Sequence, residues 1–146
     1  MILVSACLLG INCRYDGENN RNQKLLEMIE SGDECIIPVC PEQLGGLPTP
    51  RNPSIVPEGG EKVLDGDGKV IMRGWGDVTM KFVKGAEETL KIAEAYGAEK
   101  AIFKSESPSC GSSRCPKNFQ EKEKGVGVTT ALLRRNGIEV ISEEDI

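Results

Sequence analysis

Four short apolar runs, separated by segments with helical patterning, constrain the fold of this chain most strongly. The runs are Ile2–Ala6, Ile36–Val39, Ala101–Lys104 and Ile138–Ile141. Continuous apolar runs of this length are typical of strands that are covered on both faces, as in parallel sheets. Apolar residues at helical spacing between the runs predict helices over Asn19–Glu30, from an Asp77 cap to about Tyr96, and over Thr129–Arg135. The alternation predicts an α/β fold, a three-layer Rossmann-like domain with a mostly parallel sheet.

Two further segments interrupt this alternation. The DGDG sequence between short apolar pieces predicts a β-hairpin insertion over Val63–Met72. The segment CPEQLGGLPTPRNPSIVPEGG, residues 40–60, contains five prolines, so we expect it to lack regular structure. Its proline content and its apolar side chains favour an ordered loop, which could form a wall over a functional site.

The length and composition exclude several classes of protein. A chain of 146 residues predicts one domain, residues 1–146. The 23 acidic against 18 basic residues give a net charge of −5, which argues against a large nucleic-acid surface. Because the chain has no histidine, histidine-based catalytic triads and histidine-ligated zinc sites are excluded. Any metal must therefore be held by sulfur or oxygen.

The N-terminus, MILVSACLLGI, lacks the basic leader of a secretion signal, and no apolar run approaches the length of a membrane helix. We therefore expect a cytoplasmic protein without a membrane partner. Disulfides are rare in that compartment, where a set of cysteines more often binds metal or performs chemistry.

Three of the six cysteines follow the ends of predicted strands. Cys7 follows the first strand, Cys40 the second, and Cys110 comes shortly after the third. The carboxyl ends of parallel strands meet at one edge of the sheet, so these thiols are expected to converge there. Cys35 begins the strand that Cys40 ends, roughly 16 Å away, so we place it on the opposite edge or in the packed interior.

Small residues surround each strand-end cysteine, as in SACLLG and SPSCGSS, and let backbone amides approach an anionic group closely. Three thiolates in such surroundings suit a cubane iron–sulfur cluster with one iron left open. Cys13 and Cys115 each lie a few residues beyond a strand-end cysteine. Their spacing leaves three roles open: contact with the ligands, a redox couple, or packing.

Three sequence blocks, VSACLLG-INCRYDG, VCPEQLGGLPTPR and KSESPSCG, resemble those of the bacterial thiouracil desulfidases, formerly catalogued as a domain of unknown function. The resemblance covers nearly the whole chain in the expected order. It implies a [4Fe-4S] cluster held by Cys7, Cys40 and Cys110, the same cysteines that the strand ends select. It also implies a catalytic glutamate, Glu42, and a catalytic serine, Ser107.

The implied activity is the non-redox removal of sulfur from a small thiolated base, such as 2-thiouracil, or from a thiolated nucleoside. As a hypothesis, the open iron binds the substrate sulfur and Glu42 activates the water that replaces it. Ser107 would orient the substrate or relay a proton. An oxygen-sensitive cluster of this kind would be lost in aerobic preparations.

Two other functions fit the same cysteines. One is a structural zinc site closed by Cys13 or Cys115, and the other is a thiol-redox or sulfur-carrier module. The residues also leave open whether Arg14 contacts substrate or pairs locally with Asp16, and whether Arg51 clamps a polar group or fastens the proline-rich loop. The charged run 121–124 is expected to be a solvated loop. The sequence predicts neither the native substrate, nor the sulfur acceptor, nor the oligomeric state.

Overall fold

The computed structural model describes all 146 residues. Its nine strands are β1 (Ile2–Ser5), β2 (Ile36–Val39), β3 (Ser54–Ile55), β4 (Ile71–Met72), β5 (Gly76–Asp77), β6 (Lys100–Phe103), β7 (Arg114–Pro116), β8 (Lys122–Lys124) and β9 (Glu139–Ser142). Its five α-helices are α1 (Gln23–Glu30), α2 (Pro41–Leu44), α3 (Gly60–Leu64), α4 (Thr79–Tyr96) and α5 (Val128–Arg135).

A four-stranded parallel sheet in the order β2-β1-β6-β9 forms the centre of the fold. On one face Val4 packs in a cluster with Leu25 of α1. On the other face Phe103 packs in a cluster with Ala93 of α4 and Leu133 of α5. Helices therefore cover both faces of the sheet, and the predicted three-layer α/β fold with a mostly parallel sheet is confirmed.

The helix boundaries differ slightly from those that the sequence predicts. The cap of α1 is Asn22, whose side chain accepts a hydrogen bond from the Leu25 amide at 2.9 Å, so the helix begins at Gln23 and not at the predicted Asn19. The side-chain amide of Asn20, which precedes the helix, donates to the sulfur of Cys7 at 3.4 Å. The long helix α4 ends at Tyr96, as predicted, and is followed by Gly97 in the left-handed conformation.

The β-hairpin insertion exists but was predicted at the wrong place. Val63 lies in helix α3, and the DGDG segment forms the turns that follow it. The antiparallel insertion is the three-stranded sheet β3-β4-β5, whose hairpin turns at residues 73–75. The apolar pair at residues 63–64 is too short for its periodicity to distinguish one helical turn from a strand.

The prediction that the proline-rich segment lacks regular structure was wrong in part. Cys40 is followed at once by helix α2, with Pro41 at its first position, and Ser54 begins β3. Proline fits a first helical turn because its missing N–H has no partner there in any helix. The charged run 121–124 also departs from expectation, since residues 122–124 form the exposed strand β8 against β7.

Close contact between α2 and α4 fixes the segment that carries Cys40 and Glu42. A Cβ atom added to Gly85 of α4 would lie 2.0 Å from the carbonyl oxygen of Pro41. A Cβ atom added to Gly45 would lie 2.1 Å from the carbonyl oxygen of Lys81. Only glycine allows the two backbones to approach this closely.

None of the helices combines the length and the hydropathy needed to cross a membrane.

Candidate active site

A cavity of about 490 Å³ lies beyond the carboxyl ends of the central strands β1, β2 and β6. In open parallel sheets this edge is where ligands bind. The side chains of Cys7, Cys40 and Cys110 all line the cavity, together with Glu42 and Ser107. The structure thus brings together the five residues that the sequence singled out.

Each strand-end thiol is held by the turn that follows its strand. Cys7 lies in a short 3₁₀ helix over Ala6–Leu9, which ends at Gly10 in the left-handed conformation. Cys40 is the residue directly before α2. Cys110 is buried in the loop after β6, where its amide donates to the hydroxyl of Ser107 at 3.0 Å. All three turns face the same cavity because the strands run parallel.

Cys13 is a fourth thiol at this cavity, and the sequence left its role open. The Cys40 thiol donates to the Cys13 carbonyl oxygen at 3.8 Å, and the buried Cys13 thiol lies near the sulfurs of Cys7 and Cys40. Its carbonyl oxygen accepts a hydrogen bond from Arg51 Nη2 at 2.9 Å. The left-handed turn at Gly10 brings this segment back over the edge of the sheet, and cysteine spacing alone could not predict that path.

The hydrogen bonds of Cys13 set the acidity of its neighbours. The bond from the Cys13 thiol lowers the pKa of Cys7 against the opposing effect of burial, and the Asn20 amide adds to the lowering. The same thiol lowers the pKa of Cys40 to about 7. The interactions with the sulfurs of Cys40 and Cys7, together with burial, raise the pKa of Cys13 itself. Two of the sulfurs therefore favour the thiolate form that metals bind.

Cys110 differs from the other strand-end thiols because burial raises its pKa to about 12. Hydrogen bonds from the hydroxyls of Ser5 and Ser109 oppose that effect only partly. A buried thiol of this kind becomes a thiolate when a cation such as a metal replaces its proton.

Glu42 lies in the first turn of α2, and both of its carboxylate oxygens accept hydrogen bonds. Oε1 accepts from Arg51 Nε at 3.2 Å, and Oε2 accepts from the hydroxyl of Ser109 at 3.0 Å. The ion pair is largely buried, since the side chains of Arg51 and Glu42 are 4% and 12% exposed. The carboxylate therefore has a fixed orientation at the wall of the cavity.

The two serines of the SPSC block have different surroundings. The Ser107 hydroxyl accepts from the amides of Ser109 and Cys110, so it shapes the turn and also lines the cavity. The Ser109 hydroxyl contacts Glu42, which the sequence analysis missed. Because the two serines are only two residues apart in the same block, the sequence carried no signal to show which of them reaches the carboxylate.

The donor set fits an iron–sulfur cluster. Four thiols line one cavity, yet no three of the chain's Cys, Asp and Glu side chains are gathered closely enough to hold a single metal ion. A cluster takes each thiolate on a different iron and so accepts sulfurs that are spread around a cavity. Cys7, Cys40 and Cys110 come from three separate turns, as such a spread requires.

The profile of the family described as 2-thiouracil desulfurase matches residues 2–145. The chain belongs to the 2-thiouracil desulfurase family. The resemblance in the three sequence blocks is thereby confirmed.

Two similar proteins match almost the whole length of this chain. The chain is 41% identical to the uncharacterized protein YbbK of Bacillus subtilis (strain 168), over 100% of this chain and 97% of that protein. It is also 41% identical to the solved structure of TudS, described as a [4Fe-4S]-dependent thiouracil desulfidase. That match has a TM-score of 0.84 and covers 99% of this chain and 91% of the other.

The remaining cysteines of this desulfurase-family chain lie away from the cavity. Cys35 is exposed just before β2, on the opposite edge of the sheet, where the strand length places it. Cys115 is buried on β7, and burial raises its pKa. Neither lines the cavity, so of the two candidates for the fourth ligand of a closed zinc site, the structure brings only Cys13 to the other thiols.

The sequence left open the roles of two arginines, Arg51 and Arg14, and their contacts in this chain differ. Arg51 both clamps Glu42 and fastens the proline-rich loop, since its Nη1 donates to the carbonyl oxygen of Pro48 at 3.2 Å. Arg14 forms a local ion pair with Asp16 at 2.9 Å and also lines the cavity.

Proposed function

We propose that this chain is a [4Fe-4S]-dependent desulfidase that replaces the sulfur of a small thiolated heterocycle, such as 2-thiouracil, with oxygen. The observation that carries the proposal is that three strand-end thiols and a buried, oriented carboxylate line a single cavity. The family membership and the 41% identity to TudS support the same activity. Residues 1–146 would act together as one desulfidase domain.

Cys7, Cys40 and Cys110 would hold the cluster. When bound through three thiolates, such a cluster supplies an iron with a free coordination position, a Lewis acid for the sulfur of the substrate. Cys13 would remain a thiol beside Cys7 and Cys40, because its pKa is raised. In this assignment Cys13 is the one thiol of the cavity that does not bind an iron of the cluster.

Glu42 would act as the general base. Its carboxylate removes a proton from water as the water oxygen adds to the thiocarbonyl carbon. The carbon–sulfur bond then breaks, so that one thiocarbonyl compound and one water give a carbonyl compound and hydrogen sulfide. Arg51 and Ser109 orient the carboxylate through hydrogen bonds to its two oxygens, and Ser107, which lines the cavity, orients the substrate or relays a proton.

The size of the cavity supports nucleosides as well as free bases as substrates. Its outer wall extends from the thiols to Tyr15 and Phe119, and the guanidinium of Arg73 lies 4.7 Å from the centre of the Phe119 ring. A volume of about 490 Å³ is within the range of small-molecule sites. The cluster would take part of it, so the remaining space suits a small base or nucleoside.

Anaerobic reconstitution followed by a substrate panel tests the proposal. Protein reconstituted with iron and sulfide is analysed for iron, labile sulfide and zinc. It is then mixed with thiolated bases and nucleosides while hydrosulfide release is measured. We expect brown protein with bound iron and sulfide, and turnover of at least one thiolated pyrimidine. Zinc without iron would support the structural zinc site instead, and loaded protein inactive on every compound would overturn the desulfidase assignment.

A further inference from the structure

The hydroxyl of Ser109 lies between two groups that the proposed function places at the centre of the site. Its oxygen is 3.0 Å from Glu42 Oε2 and 3.6 Å from the sulfur of Cys110. Ser109 is only 2% exposed, although it lines the cavity. A buried hydroxyl with two acceptors couples those acceptors, because it has one proton to donate.

Counting donors and lone pairs gives the direction of the hydrogen bonds. The Ser107 oxygen already accepts from the amides of Ser109 and Cys110, at 3.2 and 3.0 Å, which uses both of its lone pairs. Its own proton therefore points to the Ser109 oxygen, 3.2 Å away. Ser109 in turn has a single proton to donate, and Glu42 Oε2 at 3.0 Å and the Cys110 sulfur at 3.6 Å compete for it.

The backbone around Ser109 is fixed by the start of α5. The amides of Thr129 and Thr130 both donate to the carbonyl oxygen of Ser109, at 2.9 and 3.2 Å. The Thr130 hydroxyl donates to the carbonyl oxygen of Cys110 at 2.8 Å. A Cβ atom added to Gly127 would lie 2.4 Å from the carbonyl carbon of Ser109, so the helix end and the loop are in direct contact. The hydroxyl is thus held in place before any substrate arrives.

We infer that Ser109 is a positioning residue that orients the Glu42 carboxylate and couples it, through one hydroxyl, to the sulfur of Cys110. The inference rests on the proposed function. Removing the hydroxyl leaves Oε2 without its donor, so kcat falls by about 10- to 100-fold with little change in KM. It also removes a hydrogen-bonding dipole from a cluster ligand, and this lowers the reduction potential of the cluster.

The test compares the holoproteins of Ser109→Thr and Ser109→Val with the wild type. These two variants have nearly the same shape and differ in whether they carry a hydroxyl, so a change in packing affects both. Iron content, thermal unfolding, kcat, KM and the reduction potential are measured for each. Ser113→Ala, which removes an exposed hydroxyl from the same loop outside the cavity, serves as the control.

We expect the threonine variant to stay close to the wild type, and the valine variant to keep its iron while kcat and the potential fall. Equal kcat and equal potential in the two variants would overturn the inference. Equal loss of iron or of folding in both would assign Ser109 a purely structural role and would also overturn it. If the wild-type holoprotein releases no hydrosulfide, the proposed function fails, and the potential still decides the coupling to Cys110.

Discussion

Arg51 and Glu42 form a buried ion pair at the wall of the cavity, with Nε of the arginine 3.2 Å from Oε1 of the glutamate. The same guanidinium donates to the carbonyl oxygens of Pro48 and Cys13. One side chain therefore joins the proline-rich loop, the Cys13 segment and the proposed general base. The Arg51 guanidinium therefore fixes the orientation of the Glu42 carboxylate relative to these two segments.

Arg51→Lys keeps the charge and loses the planar set of donors. Because lysine cannot make these bonds in several directions at once, we expect the variant to lose stability by about 1–3 kcal/mol and most of its activity. Urea denaturation of the apoprotein and hydrosulfide release by the holoprotein check the two effects. Arg21→Lys, at an exposed position whose guanidinium makes no hydrogen bond, should leave both unchanged. Equal behaviour of the two variants would contradict a special role for Arg51.

Glu42→Gln preserves the size of the side chain and removes the base. The cluster should bind as in the wild type, with the same visible absorption, because the three thiols are untouched. Turnover should fall by about 100- to 10,000-fold, the usual contribution of general base catalysis. Steady-state hydrosulfide release measures this, with the exposed Glu139→Gln as the control. A fully active Glu42→Gln enzyme would exclude Glu42 as the base.

Cys40 and Cys35 flank the two ends of β2 and offer a matched pair of substitutions. Cys40→Ser should lose bound iron and activity, since it removes one of three cluster ligands. Cys35→Ser should keep both, because its exposed side chain lies at the opposite edge of the sheet. Iron and labile sulfide per chain after anaerobic reconstitution give the result. Full iron content in Cys40→Ser would show that another thiol, with Cys13 the nearest candidate, completes the ligand set.

The parallel sheet explains why part of the site could be predicted from the sequence. Short apolar runs indicate buried parallel strands, and their carboxyl ends meet whatever the loops do, so Cys7, Cys40 and Cys110 were expected at one edge. The path of each loop depends on single turns, such as the left-handed backbone at Gly10 and at Glu106. Periodicity carries no information about such turns.

The contacts of Cys13 and Ser109 were therefore beyond prediction, as was the ion pair of Arg51, whose role the sequence left open. The hairpin was misplaced for a related reason. Two apolar residues, Val63 and Leu64, fit one helical turn as well as a strand, and tertiary contacts decide between the two. The conformation of this segment depends on long-range packing, which the local sequence pattern does not contain.

Gly85→Ala should displace Glu42 although Gly85 itself does not line the cavity. The added Cβ would lie 2.0 Å from the Pro41 carbonyl oxygen, so α2 must move away from α4 and displace Glu42. We expect a loss of about 1–3 kcal/mol in the free energy of unfolding, as for other overpacked contacts, together with reduced activity. Urea denaturation and the hydrosulfide assay measure these. Glu87→Ala, at an exposed position of α4, provides the control, and a Gly85→Ala enzyme as stable and active as the wild type would contradict the close-contact argument.

The ion pair between Lys104 and Glu143 predicts how stability depends on pH. Burial raises the pKa of Glu143, but hydrogen bonds from Lys104 at 2.9 Å and from Ser105 outweigh it, so the pKa is lowered overall. A carboxylate whose pKa falls on folding stabilises the protein above its unfolded pKa of about 4.3 and loses that contribution as the pH decreases.

Glu143→Gln should therefore cost about 1–2 kcal/mol near pH 7, and the difference from the wild type should shrink as the pH falls through 4 and below. The measurement is the free energy of unfolding in urea at a series of pH values from 7 to 3. The exposed neighbour Glu144→Gln controls for the general loss of one negative charge. A Glu143→Gln difference that stays constant with pH would mean that the side chain acts through packing, because only a contribution from the ionised carboxylate disappears when the carboxyl group is protonated.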